Sequence, residues 1–445
     1  MLSFFVSSEL ANKEQVSNKA EIIFKRPLIP DKNPVYIDGF DDLRSNYIAS
    51  GIDFIEANLD QMKVRVYKQG MLEKELTIQA KGDPQSWGGS AAGLNQSISK
   101  SKLAFSSIAG VYMPYSIKFF GKYYLHGEPF YPRGNKRITD VTGGCIQLPD
   151  QDAKSLYQST EIGTPILVID KERDPFVYSN KKPKDPPEIL AKSYLVADLD
   201  SGFIFAEKNS KQHVPIASLA KLMTAVVVTE NNDLRKSIKT TASMLDAFGE
   251  TEKLVANKKF RIVELLYPLL IESSNDAAET LSRFQGKSQT IEIMNEKAQS
   301  LLMNNTVFSD PSGYDPANIS TGQDLFRLAR YILNNRPPLL EITKNNPVPA
   351  FGEVSFTDLK NKNLFSQTEN FIGGKTGYIV ASQYTGLFLF NIPLEGGEKR
   401  VAFILLGVEF QGSWEDTLKG EVNKLTDWLK ENYSEPTKKP ANPVL

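Results

Sequence analysis

The chain has 445 residues, 41% hydrophobic and 24% charged, enough for two or three domains with real cores. Lys plus Arg number 52 against 53 Asp plus Glu, and no basic cluster stands out, which excludes a nucleic-acid-binding footprint. A single cysteine excludes a disulfide framework, and no apolar run reaches the roughly eighteen residues that mark a membrane span. Residues 1–35 read as a polar N-terminal extension. Its start, "MLSFFVSSELA", reads equally as the trimmed end of an export signal or as an ordinary N-terminus. From Phe54 the pattern is β-rich. "MKVRVYKQGMLEKELTIQ" predicts a hairpin turning at "KQG", "QSWGGSAAGLNQS" a long Gly/Ser loop, "VYMPYSIKFF" and "KYYLHG" strands, and "TPILVID" a buried strand. The Pro- and Lys-rich stretch 171–189 lacks periodicity and reads as a linker between a domain at 36–170 and another at 190–432.

After the linker, "SYLVADLDSGFIFA" predicts strand, turn, strand. Helical patterns follow at 217–230, 261–284, 290–303 and 323–335, then the apolar strands "YTGLFLFNI" and "RVAFILLGVEF", and a helix near 414–431. This order predicts an α+β domain whose sheet combines strands from both ends of the segment. The Pro-rich stretch 433–445 reads as a disordered tail.

Three short motifs punctuate the second domain. "PIASLAKLMTAVVV" puts Ser218 and Lys221 three apart at the start of an apolar helix, where both share a face and the amine can accept the hydroxyl proton. A lysine serves as that base only if burial or neighbouring cations lower its pKa. Ser97/Lys100, Ser99/Lys102 and Ser179/Lys182 share the spacing, but in polar, loop-like stretches. "IESSNDAAE" supplies Ser273, Ser274 and Asn275, as a proton relay and amide donor or as a helix cap. "GGKTGY" supplies Lys375, Thr376, Gly377 and Tyr378, as a clasp for a carboxylate or as a tight turn with a solvated lysine. His213, near Ser218, reads as a surface or packing residue.

These motifs, in this order, resemble the set shared by penicillin-binding proteins and class A β-lactamases. With "VADLDSGFIFAEKNSKQHVPIASLAKLMTA" and "FSDPSGYDPANISTGQDLFRLARYIL", residues 190–432 resemble the serine D-alanyl-D-alanine carboxypeptidases, the low-molecular-mass penicillin-binding proteins. The resemblance implies that Ser218 attacks the bond between two terminal D-alanines of a peptidoglycan stem pentapeptide and Lys221 takes its proton. Ser273 and Asn275 then serve the leaving D-alanine, and Lys375 and Thr376 bind the terminal carboxylate. Gly377 admits the substrate backbone, and the N–H groups of Ser218 and Tyr378 form the oxyanion hole. β-Lactams are implied as inhibitors. A serine β-lactamase is the alternative, but "SDPSGYDPANIS" offers no Glu as a deacylating base; a penicillin-binding sensor is another. The chain ends soon after the closing helix, so neither the further β-domain nor the amphipathic anchor found in many such carboxypeptidases is expected.

The lone Cys145 is a packing residue, an intermolecular link or a nucleophile. His126, one of two histidines, lies 19 positions upstream, and a thiolate–imidazole pair would activate the sulfur. "VRVYKQGMLEKELTIQ", "MPYSIKFFGKYYLHG", "VTGGCIQLPDQDAKSLY" and "GTPILVID" resemble the L,D-transpeptidase catalytic domain, a mostly-β fold. That resemblance implies Cys145 as nucleophile, His126 as base, the Gly127 carbonyl orienting the imidazole, and the N–H groups of Gly143, Gly144 and Cys145 as an oxyanion hole. Gly143 stands where that family carries a second histidine, and Gln147 where it often has Arg or Asn. Either His126 suffices or the domain is a binding relic. The expected whole is a multidomain chain: a mostly-β L,D-transpeptidase-like domain, then an α+β β-lactamase/transpeptidase-like domain with an antiparallel sheet and helices. Its partners are peptidoglycan stem peptides and no nucleic acid. Neither chemistry needs a metal or an organic cofactor, and the substrate implies an extracytoplasmic location.

Overall fold

The computed structural model describes residues 36–435, except 181, 250–253, 357 and 411. The N-terminal extension, with its export-signal reading, and most of the Pro-rich tail lie outside the described residues. The rest divides into two compact units, Asp38–Glu172 and Arg173 onward, the second also taking in Tyr36 and Ile37.

The first unit is mostly β. Helix α1 (Phe40–Ala49) precedes strands β1 (Phe54–Asn58), β2 (Lys63–Lys68) and β3 (Met71–Thr77), with β2 and β3 forming the expected hairpin. One sheet runs β3–β2–β1–β9–β4, where β9 is Pro165–Ile169 and β4 is Gly93–Gln96. Its central strands β1 and β9 pair in parallel and are buried along their whole length, as strands covered on both faces must be. Strand β4 corrects the Gly/Ser-loop reading: Gly93, Leu94 and Asn95 are buried, and this segment lies antiparallel on β9. The second sheet runs from β8 (Ile146–Gln147) through β7 (Tyr123–His126) and β6 (Val111–Phe120) to β5 (Ser99–Ser106). Helix α2 (Asp150–Ser159) follows β8 directly.

The second unit is built on a five-stranded antiparallel sheet. Strands β10 (Ala191–Asp198) and β11 (Ile204–Lys208) open the unit; β12 (Phe371–Ile379), β13 (Gln383–Leu394) and β14 (Gly397–Val408) close it. The order β11–β10–β14–β13–β12 joins both ends of the segment. Alternate residues of β13 and β14 face opposite ways. Phe388, Phe390, Phe403 and Leu405 pack with Leu418, Val422, Leu425 and Leu429 of α9 (Trp414–Tyr433), while Leu387, Leu389, Ile404 and Leu406 are buried on the other face. A group of helices carries the rest: α3 (Ala220–Asn231), α4 (Ile262–Leu270), α5 (Asn275–Arg283), α6 (Lys287–Ser300), α7 (Gly322–Asn335) and α8 (Pro337–Thr343).

Two sequence readings change here. The single helix expected over 261–284 is two, because α4 contains Pro268 and the chain turns at Ser273 with φ +64° before Ser274 caps α5. The stretch read as a linker is laid along the second unit. Tyr178 is buried and donates to Asp198 at 2.8 Å, Asn180 Nδ2 donates to the Asn432 carbonyl at 2.8 Å, and Trp428 Nε1 donates to the Lys184 carbonyl at 3.0 Å.

Candidate active site

Ser218 lies in the single 3₁₀ turn Ala217–Leu219 that feeds α3. Its neighbour Ala217 adopts φ +48°, a left-handed conformation uncommon for a residue with a Cβ and of the kind found where a side chain must be aimed. Every residue of α3 from Ala220 to Glu230 is buried, and Lys221 is fully so. Its Nζ lies 2.9 Å from Ser218 Oγ, 2.7 Å from Asn275 Oδ1 and 2.6 Å from the Ser312 carbonyl oxygen. Burial lowers the Lys221 pKa to about 7; Asp310 pulls the other way and Lys362 adds to the lowering.

The break between α4 and α5 supplies the second motif. Ser274 accepts from Ala277 N at 3.1 Å, and α5 then begins on Asn275. The Asn275 amide donates to the Phe248 carbonyl, which leaves its oxygen facing Lys221. Ser274 thus takes the capping role, and Ser273, half-buried on the turn, makes no hydrogen bond to Ser218 or Lys221.

The third motif lies within edge strand β12, and Lys375 is fully buried rather than solvated at a turn. Burial, then the charges of Lys221 and Lys362, hold the Lys375 pKa well below its ordinary value. Thr376 is buried and donates to the Lys362 carbonyl at 3.1 Å; Tyr378, two residues on, is exposed. A Cβ on Gly377 would stand 2.8 Å from the Ser218 backbone nitrogen, so a glycine here lets β12 close on the nucleophile's turn. His213 is at the surface, its ring against Asn305.

The turn at 310–315, which carries part of the family resemblance and offers no Glu, has a role that sequence reasoning missed. The Asp310 carboxylate accepts from the backbone N–H groups of Ser312 at 2.5 Å, Gly313 at 2.8 Å and Asp315 at 2.6 Å, and from Asn318 Nδ2 at 2.8 Å. An Asp-Pro-Ser-Gly string is a turn signature, so the turn was legible; its delivery of a carbonyl to Lys221 was not. Beside Asn275 and Ser312 opens a cavity of about 350 Å³, rimmed by Phe248 and Tyr314, whose rings lie 4.9 Å apart.

In the first unit, β7 and β8 pair in parallel with His126 opposite Gln147, which sets Cys145 at the start of the neighbouring strand. His126 is buried, and its Nδ1 lies 2.6 Å from the Gly127 carbonyl oxygen, so Nδ1 carries the proton and Nε2 keeps a free lone pair. Burial lowers the His126 pKa to about 4 and raises that of Cys145 to about 11. Cys145 Sγ lies 3.9 Å from the Lys122 carbonyl oxygen, and no hydrogen bond joins it to His126. Thr142 Oγ1 accepts from Gly144 N at 3.1 Å, so that N–H is already engaged. Gly144 adopts φ +111°, and a Cβ there would meet the Tyr123 ring at 2.1 Å. A Cβ on Gly143 would meet nothing within 4 Å.

Buried amine, hydroxyl and amide converge at one helix start, beside a strand carrying a second buried amine: the arrangement of an acylating serine enzyme. A family model described as D-alanyl-D-alanine carboxypeptidase matches residues 180–388, and one described as L,D-transpeptidase catalytic domain matches residues 52–168. The D-alanyl-D-alanine endopeptidase of Haemophilus influenzae is 37% identical over 210 residues, covering 46% of this chain and 72% of that protein. A D-alanyl-D-alanine carboxypeptidase of Mycobacterium tuberculosis is 29% identical over 248 residues, covering 54% and 83%. The crystal structure of a D-alanyl-D-alanine carboxypeptidase from Mycobacterium tuberculosis H37Rv superposes with a TM-score of 0.50 at 27% identity, covering 58% of this chain and 99% of that one. The chain belongs to the D-alanyl-D-alanine carboxypeptidase family and carries an L,D-transpeptidase catalytic domain ahead of the part that defines it.

Proposed function

We propose that the second unit is a serine D,D-carboxypeptidase that removes the terminal D-alanine from peptidoglycan stem pentapeptides. The observation that carries this reading is the fully buried Lys221 Nζ at 2.9 Å from Ser218 Oγ. A lysine that titrates near 7 has a neutral fraction able to take the serine proton, so Ser218 attacks the carbonyl between the two D-alanines. The N–H groups of Ser218 and Tyr378 receive the developing oxyanion, each such donor being worth about 3–4 kcal/mol in the transition state. Lys375 and Thr376 hold the terminal carboxylate, Gly377 admits the substrate backbone, and the proton that Lys221 takes from Ser218 passes to the leaving amine, with the Ser273 hydroxyl as relay and Asn275 holding Lys221 and the stem peptide. Water then frees the tetrapeptide. The absence of a Glu from the 310–315 turn favours this over a β-lactamase. The test is D-alanine release from a pentapeptide together with labelling by fluorescent penicillin. Ser218→Ala is expected to lose both; release that survives the substitution refutes the assignment.

We propose further that the first unit uses Cys145 as an acyl-accepting nucleophile with His126 Nε2 as its base, on tetrapeptide stems of the kind the second unit produces. Support comes from the tautomer set by the Gly127 carbonyl; Gly143 and Cys145 supply the N–H groups left for an oxyanion. Such substrates lie outside the cytoplasmic membrane, which makes the location extracytoplasmic. The test is intact mass after a carbapenem: an adduct absent from Cys145→Ala supports the reading, and no adduct on the parent chain supports a binding relic.

A further inference from the structure

Once Lys221 is neutral, the orientation of its amine follows from counting its partners. A neutral amine has two N–H donors and one lone pair. Two of its three partners, Asn275 Oδ1 and the Ser312 carbonyl, can only accept, the former because the Asn275 amide nitrogen is committed to the Phe248 carbonyl. Together they consume both N–H groups and leave the lone pair facing the Ser218 hydroxyl, 2.9 Å away. Without either acceptor the amine is free to rotate the lone pair off the hydroxyl.

The Ser312 carbonyl is held there by its turn, which is keyed to the nucleophile's helix at two further points. Thr224 Oγ1 donates to the Pro311 carbonyl at 2.6 Å, and Gly313 lies so close that a Cβ would stand 1.8 Å from the Ala217 carbonyl oxygen. The Asp310 carboxylate folds this turn by accepting from three backbone N–H groups, from the Ser312 hydroxyl at 2.7 Å and from Asn318.

We propose that Asp310 is a positioning residue for acylation: its carboxylate folds the 310–315 turn so that the Ser312 carbonyl fixes the Lys221 amine with its lone pair on Ser218. The proposal rests on the serine-enzyme reading above. Charge supports it. Burial pushes the Asp310 carboxyl up, but the Ser312 hydroxyl and the backbone N–H donors outweigh that and hold it below its ordinary value. The charged or titratable groups facing Lys221 are then Asp310 from the turn, Lys362 from the segment ahead of β12, and Lys375 from β12. Asp310 alone among them favours the protonated amine.

The test uses the full chain and a fluorescent penicillin, with acylation rates taken from pH 5 to 9 beside thermal melts. Asp310→Asn puts an amide N–H against N–H donors and removes the charge. It is expected to lower the plateau rate about 10- to 100-fold, as small misplacements of reacting groups do, and to move the acid limb to lower pH. Gly313→Ala pushes the turn off Ala217 without changing charge and is expected to lower the plateau similarly with Asp310 intact. A folded Asp310→Asn chain with the parent plateau, or with a lower plateau and an unmoved limb, overturns the proposal. If that variant does not fold, Gly313→Ala decides: a parent plateau overturns it, and a tenfold loss supports it. Failure of the parent chain to acylate at Ser218 is a separate result and removes the serine reading itself.

Discussion

Lys221 is fully buried and Cys145 half-buried, and their pKa values lean in opposite directions. The lysine gives up its proton near pH 7, so acylation of Ser218 should climb from pH 5 and level off above about 8, a limb absent from Ser218→Ala. The thiol, with a pKa of about 11, holds its proton at neutral pH. Only about one molecule in ten thousand is thiolate at pH 7. Alkylation by iodoacetamide, followed by intact mass, should therefore rise about tenfold per pH unit between 7 and 10. Gly143→His, at a position where a Cβ meets nothing within 4 Å, restores the histidine of the resembled family and is expected to speed alkylation at pH 7 at least tenfold. An unchanged rate would mean that the family's second histidine does not act on the thiol. Ser218 and Lys221 were legible because their spacing opened an apolar helix. Asp310 and Ser312 were not, because one acts through a turn and the other through a backbone oxygen that every residue possesses.

At the level of elements, the site depends on where regular structure stops. The sequence pattern over 261–284 is helical throughout, and the interruption comes from Pro268 and the left-handed Ser273, a local geometry that periodicity does not report. The restart needs a cap. Ser274→Ala should cost about 1 kcal/mol, read as a lower denaturant midpoint, with Asn275 less well held. For "GGKTG" the sequence leaves a carboxylate clasp at a strand edge and a tight turn both open, because its glycines look like turn chemistry. Tertiary packing overrides that preference, since its glycines let the edge strand approach the nucleophile. Gly377→Ala places a methyl 2.8 Å from Ser218 N and is expected to slow penicillin acylation at least tenfold; an unaffected rate would show that β12 can retreat without harm.

At the level of the molecule, both halves were visible from motif order, and a sheet joining both ends of the second half was visible from four of its five strands, the edge strand β12 being the exception. The strip at 171–189 was not, because its prolines and lysines carry no period, yet Tyr178 packs edge-on against Phe176, Phe205 and Tyr433. Tyr178→Ala should destabilise the second unit by about 3–5 kcal/mol, measured as its denaturation midpoint; a loss below 1 kcal/mol would mean the strip is only draped. Sequential use of one stem by the two sites can be tested by mixing full-length Ser218→Ala and Cys145→Ala chains: equal cross-link yield from mixture and parent would exclude coupling within one chain. The docked strip also bears on how the protein withstands digestion. Lys184 receives a bond on each side of its backbone, its nitrogen donating to Asn432 Oδ1 at 2.9 Å and its carbonyl accepting from Trp428. A protease must pull some residues of slack into its cleft before it can cut. Trypsin should therefore spare the native chain after Lys184, a basic residue in a proline-rich stretch that looks, on paper, like the easiest place to nick it.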